Sequence, residues 1–116
     1  ERLPADHRIV REELFLPILA VLPFRTFDEA LRTANDTEYG LCAGIFSREE
    51  DEVEAFFARI EAGVAYANRR QGSTTGAMVG CQSFGGWKMS SVTFKGAGGP
   101  YYLPQFLREQ ARTHYA

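Results

Sequence analysis

Apolar positions along the first two thirds of the chain alternate between two patterns. Ile18 to Phe24 is a nearly unbroken apolar run, the signature of a strand covered on both faces. Behind it, Phe27, Ala30, Leu31 and Ala34 recur at helical spacing and form one apolar stripe. Thr26 and Glu29 predict the start of that helix as a capping box, in which a hydroxyl oxygen and a carboxylate take N–H groups that have no acceptor inside the helix. Asn35, Asp36 and Gly40 punctuate its end, and Leu41 to Phe46 reads as a second buried strand. The pattern then repeats. Ser47 and Glu50 form another capping box, Val53, Phe56, Phe57 and Ile60 line a helical face, Gly63 closes the helix, and Val64 to Asn68 is a third strand.

Strand, helix, strand, helix, strand with short connections predicts an α/β fold, a parallel βαβαβ unit with right-handed crossovers. In such sheets ligands gather beyond the carboxyl ends of the strands. A glycine- and hydroxyl-rich loop, Gly72 to Lys88, leaves the third strand at that end. Gly76 and Ala77 carry no bulk that would keep a carboxylate from their N–H groups, and consecutive N–H groups in a tight turn form an anion-binding concavity. Phe84 would then cover the apolar stem of the same ligand. A glycine-rich turn with no ligand has the same composition; the position at the rim of the sheet favours binding. A second flexible turn follows at Lys95 to Pro100, and then an aromatic and apolar cluster from Tyr101 to Leu107. For Glu109 to Ala116, periodicity allows either an extended tail that pairs with another subunit or a helix folded back on the domain.

Composition narrows the partners. A chain of 116 residues with 45% hydrophobic content is expected to form one small domain with its own core. A formal charge of −2 and a pI near 5.7 give no electrostatic case for nucleic acid or an anionic membrane. No apolar run approaches the roughly 20 residues of a membrane span, and the first residues lack the pattern of a signal peptide. A soluble, cytoplasmic protein is expected. Cys42 falls in a predicted buried strand and Cys81 in the glycine loop, which fits a reducing compartment better than a disulfide. Cys81 has no base close in sequence to activate it. His7 and His114 stand at opposite ends without neighbours for a metal set. The glycines match neither a phosphate loop nor a dinucleotide fingerprint. The acidic run Glu49 to Glu52 suits the positive end of a helix dipole.

The ordered features resemble the C-terminal part of the aldehyde dehydrogenase superfamily. The matching residues are Arg11-Glu12-Glu13-Leu14-Phe15-Leu16-Pro17, Ala34-Asn35-Asp36-Thr37-Glu38-Tyr39-Gly40-Leu41, Gly63-Val64 with Asn68, and Phe84-Gly85-Gly86, spread over nearly the whole chain. Ser73 to Gly86, followed by Ala97-Gly98-Gly99-Pro100, is similar to the branch that oxidises L-glutamate γ-semialdehyde (1-pyrroline-5-carboxylate) to glutamate in proline catabolism. The resemblance implies that Glu13 accepts hydrogen bonds from the nicotinamide-side ribose of NAD or NADP and that Phe15 packs beside it. It also implies that the amides of Gly76 and Ala77 anchor the substrate's α-carboxylate and that Phe84 walls its methylene chain. Leu16, where many members have glycine, and Ser83, in place of a common proline, depart from the pattern.

In the family a cysteine thiolate attacks the aldehyde and a glutamate-activated water releases the acid. Neither Cys42 nor Cys81 matches that nucleophile, so no catalytic residue is assigned here. The resemblance therefore implies a C-terminal fragment of the catalytic domain, with residues 1 to about 90 as the α/β unit and anchor loop and about 91 to 116 as the tail and oligomerisation segment. Such a fragment is expected to be inactive alone and to hold no cofactor by itself. Its expected partners are the remainder of the dehydrogenase or a second copy in a homo-oligomer. Two alternatives stay open: a free-standing, non-catalytic assembly module, and a dehydrogenase for another aldehyde that bears a carboxylate.

Overall fold

The computed structural model describes residues 3–4, 6–70, 77–78, 80–93 and 95–116. A short helix α1 (Arg8–Arg11) precedes an irregular stretch, then helix α2 (Phe27–Asn35), strands β1 (Tyr39–Gly40) and β2 (Cys42–Ile45), helix α3 (Glu50–Arg59), strands β3 (Val64–Ala67) and β4 (Trp87–Lys88), and a 3-10 turn at Leu103–Phe106. β2 and β3 pair in parallel, from Cys42 opposite Val64 to Ile45 opposite Ala67, with α3 as the crossover. This is the second of the two predicted βα repeats.

The first repeat departs from expectation. Among the described residues the strands form two two-stranded sheets, β2 with β3 and the antiparallel pair β1 with β4, rather than one three-stranded parallel sheet. Residues 18–24 run without a ladder partner, and Leu19 and Val21 are 86% and 82% exposed. A continuous apolar run states which environment a segment needs, whereas a strand exists only where another strand accepts its hydrogen bonds. Here Ala20, Leu22 and Phe24 instead border a groove of about 440 Å³ against Ala30 and Ala34 of α2.

The core gathers the two helical stripes on one face of β2 and β3. Leu31 of α2 and Phe56 of α3 are 4% and 5% exposed, and with Ile60 and Ala62 they pack against Phe27, Ala43, Ile45 and Ala65. Cys42 and Gly44, on the opposite face of β2, are exposed, so this strand is covered on one side and not on both. The α2 start follows expectation: Thr26 Oγ1 accepts from Glu29 N at 3.2 Å, while the Glu29 carboxylate accepts from Arg25 N at 3.0 Å. The α3 start does not. Glu49 is the cap residue with no side-chain bond, and Ser47 Oγ accepts from Glu49 N and donates to Glu52 instead of closing a box with Glu50. The backbone of Ser47 is held by Asn68, which places the serine ahead of the first turn.

Gly63 lies beyond the cap of α3 and serves a different purpose from helix termination. Its N–H donates to Gly40 O at 2.9 Å, and a Cβ at this position would sit 1.7 Å from Gly85 O and 2.9 Å from Gly86 Cα. Main chain therefore lies directly on main chain where the loop crosses the start of β3. Residues 107–116 are extended and exposed, so the folded-back helix does not form.

The accessible surface is 10063 Å², against about 6,300 Å² for a compact monomer of this mass. The radius of gyration is 18.7 Å, where about 13 Å is typical of a domain this size. The hydrophobic content is sufficient for a core, but much of it is not self-buried.

Replacing Gly63 with alanine is expected to cost about 1–3 kcal/mol, because neither backbone can yield to the new methyl group. Gly80→Ala, where an added Cβ meets nothing within 4 Å, is the control. Urea unfolding of both variants should show a lower midpoint for Gly63→Ala alone.

Candidate cofactor and substrate site

Two groups of residues carry the candidate chemistry, and each rests on a tied platform. The first follows α1. His7 Nδ1 accepts from Ile9 N at 3.2 Å and caps that helix. At its other end the Arg11 guanidinium binds both the carboxylate and the backbone carbonyl of Asp36. The helix is thereby fastened to the end of α2. From this platform the chain turns outward: Phe15 adopts φ 52°, a left-handed conformation uncommon for an aromatic residue, and Ile18 N donates to Leu16 O at 2.7 Å.

Glu13 and Phe15 line the same depression of about 510 Å³. Glu13 is exposed, with no ion pair or hydrogen bond to the described residues, and Phe15 is 92% exposed. Leu16, the bulky departure from the family pattern, lines that depression too. Glu13 also borders a second cleft of about 570 Å³ that runs past Tyr39, Cys42 and Met89. Both oxygens of its carboxylate remain available as acceptors, and an uncovered aromatic face lies two residues away. An acceptor-only carboxylate beside an aromatic face suits a ribose diol carried by a flat ring system.

The second group is the glycine loop. Gly76 lies outside the described residues. Ala77 is buried, at 7% exposure, rather than set on an open rim, and its backbone N–H donates to none of the described residues. A small side chain is thus required there for packing as well as for access to the amide. Met78 O accepts from Cys81 N and Gln82 N at 2.9 and 2.7 Å, and Gln82 Oε1 accepts from Met78 N at 2.8 Å, closing a tight turn. Phe84 exchanges both backbone hydrogen bonds with Ala97, at 2.8 and 3.1 Å. The two flexible turns are therefore one paired unit. Neither Ala77 nor Phe84 is among the described residues lining the two depressions that hold Glu13.

Neither thiol has the setting of a nucleophile. Cys42 is on the outer face of β2, and partial burial of its thiol pushes its pKa up, which disfavours the reactive thiolate. Cys81 lies 3.6 Å from Met78 O and is exposed. Among the described residues no group of three or more His, Cys, Asp or Glu is placed to hold a metal ion, and no helix is long and apolar enough to cross a membrane.

Sequence reasoning missed the polar ties at the rim. Asn35 Nδ2 donates to Arg59 O at 2.8 Å while its Oδ1 accepts from Glu61 N at 2.9 Å, joining the ends of α2 and α3. Lys88 donates to Asn35 O at 2.5 Å and Thr37 O at 3.2 Å and pairs with Glu61 at 2.7 Å. No local spacing announces such contacts, since the partners lie more than 20 residues apart in sequence.

The chain belongs to the aldehyde dehydrogenase family, whose model matches residues 1–111. It is 44% identical over 108 residues to a 1-pyrroline-5-carboxylate dehydrogenase of Bacillus thuringiensis (strain Al Hakam), covering 93% of this chain and 20% of that protein. Among solved structures it is similar to 1-pyrroline-5-carboxylate dehydrogenase from Thermus with bound NAD, with 42% identity, a TM-score of 0.81, and coverage of 91% of this chain and 20% of the other. It is similar as well to proline utilization A from Bdellovibrio bacteriovorus, with 42% identity, a TM-score of 0.78, and coverage of 89% and 10%. The chain thus spans about a fifth of the length of the curated relatives it matches.

The raised pKa of Cys42 has a direct readout. Its alkylation by iodoacetamide, followed by peptide mass spectrometry across a pH series, should set in above the ordinary thiol midpoint of about 8.5. A midpoint at or below that value would show that the thiol is not desolvated.

Proposed function

We propose that this chain is a segment of an NAD(P)-dependent dehydrogenase that oxidises L-glutamate γ-semialdehyde to glutamate in proline catabolism. The observation that carries the reading is family membership over residues 1–111 together with the identity to relatives bearing that enzyme's name. The segment is read as the C-terminal part of the catalytic domain, because the Glu13-Leu14-Phe15 motif and the Ser73 to Gly86 loop resemble elements that follow the nucleophile in the family.

In this reading Glu13 accepts from the ribose hydroxyls and Phe15 covers the ring beside them, and the free carboxylate and exposed ring support that role. The nicotinamide, when bound, supplies the hydride-accepting ring. The amides at Gly76 and Ala77 hold the substrate's α-carboxylate while Phe84 packs its methylenes, fixing one end so that the aldehyde reaches a nucleophile supplied elsewhere in the enzyme. Such positioning accounts for a large share of rate acceleration.

The full-length enzyme should reduce NAD in the presence of glutamate semialdehyde, and the isolated segment should not. In the full-length enzyme Glu13→Gln should raise the KM for NAD by about 10- to 100-fold, the worth of hydrogen bonds to a charged acceptor, and leave the KM for the semialdehyde near its original value. An unchanged KM for NAD would remove Glu13 from the cofactor site.

The exposed tail is proposed to pair with a second copy of the enzyme. Deleting residues 108–116 should reduce the assembly size measured by light scattering without abolishing folding. A second reading, an assembly module that acts without catalysis, is favoured by the exposed apolar stretch around Leu19 and Val21. The mass of the natural product separates the two, being about 13 kDa for a free-standing module and about five times that for the enzyme.

A further inference from the structure

The loop that carries Ala77 and Phe84 is bracketed by two non-glycine residues in the left-handed conformation, Asn68 where it leaves β3 and Lys88 where it returns to β4, both at φ 52°. Such backbone is held only where the surroundings over-determine it, and it concentrates at functional sites. At Asn68 the surroundings are a complete amide clamp. Its Oδ1 accepts from Ser47 N at 3.1 Å and its Nδ2 donates to Ser47 O at 2.9 Å, while its backbone N–H donates to Ile45 O at 2.8 Å. The carboxyl ends of β2 and β3 are thereby tied together at the point of departure.

Lys88 is the cation a carboxylate-binding loop would be expected to offer its ligand, and its contacts argue against that use. The ammonium has three donors, and three acceptors take them: Asn35 O, Thr37 O and the Glu61 carboxylate. Asn35 O ends α2 and also accepts from Thr37 N at 2.9 Å, and Thr37 O lies just beyond the helix, so the ammonium sits at the C-terminal end of α2, where a cation is favoured. The side chain is largely covered, so this arrangement is not an incidental surface pair.

We propose that Asn68 and Lys88 are positioning residues for the substrate loop, fixing its departure from β3 and its return through β4 so that the Ala77 amide meets the substrate carboxylate. Neither touches the substrate. The proposal rests on the reading that this loop holds the carboxylate of glutamate semialdehyde.

The test uses three variants of the full-length enzyme. Asn68→Gly keeps the left-handed backbone accessible and removes only the clamp. Lys88→Met keeps the length of the side chain and removes the ammonium, and Lys88→Arg restores donors. Asn68→Gly and Lys88→Met should each raise the KM for glutamate semialdehyde by about tenfold or more. The KM for NAD should stay within about twofold, and Lys88→Arg should recover part of the loss. An unchanged KM for the semialdehyde would overturn the proposal, and so would a parallel rise in both KM values, which marks a general loss of structure. If the unaltered enzyme fails to oxidise glutamate semialdehyde, the functional reading itself falls, a result separate from either outcome in the variants.

Discussion

The geometry of the glycine loop depends on main chain lying against main chain, where Gly63 meets Gly85 and Gly86. The N–H of Gly63 is bonded to Gly40 O, so three stretches of backbone converge on one point at the start of β3. Side-chain packing tolerates rearrangement, because a displaced rotamer can settle elsewhere. Backbone contact does not, since moving one chain moves every residue attached to it. The loop's return is therefore set by covalent geometry and van der Waals distance.

Polar ties around this crossing carry the constraint outward to the helices. Asn35 uses both ends of its amide to join the last turn of α2 to the exit of α3, and Lys88 gathers the carbonyls of Asn35 and Thr37 where the chain leaves α2. These bonds are made to backbone atoms, which are already fixed, so little side-chain entropy is spent per bond formed. By contrast, Arg59 with Asp28 and Arg8 with Glu12 are exposed pairs whose contribution is screened and small. The rim is stiff because of a few amide and ammonium contacts to main chain rather than because of the number of ion pairs.

Much of this organisation was legible from local pattern, and the failures have physical causes. The Thr26 cap, the α2 stripe centred on Leu31 and the α3 stripe centred on Phe56 follow from spacing within a few residues, and the parallel direction of β2 and β3 follows from the helix between them. Ile18 to Phe24 shows where local pattern stops: the run specifies burial but cannot supply the neighbouring strand. Ser47 shows competition, since Asn68, 21 residues downstream, takes the backbone that a capping box would have placed at the helix start. Locally, Gly63 reads as a helix stop and Lys88 as the end of the glycine loop. Their contacts, with Gly85 on one side and with Asn35, Thr37 and Glu61 on the other, are set by the tertiary path. At the site, the proximity of Glu13 and Phe15 was visible from their two-residue spacing, whereas the burial of Ala77 was not, because alanine fits an exposed turn and a packed interior equally well.

The surface of the chain bears on how such a site works. Its accessible area of 10063 Å² exceeds that of a compact monomer by roughly 3,700 Å², a difference as large as an obligate protein interface. Part belongs to the extended tail, and part to the apolar stretch from Phe15 to Phe24. Hydrophobic content predicts that a core is possible, but the surplus depends on whether the elements carrying that content can reach one another. Here the helical stripes reach each other and the apolar stretch does not. Glu13 and Phe15 stand at the start of that uncovered stretch, just past the helix that Arg11 ties to the end of α2. A ring at 92% exposure gains little from packing within this chain, so its stabilisation has to come from whatever covers it.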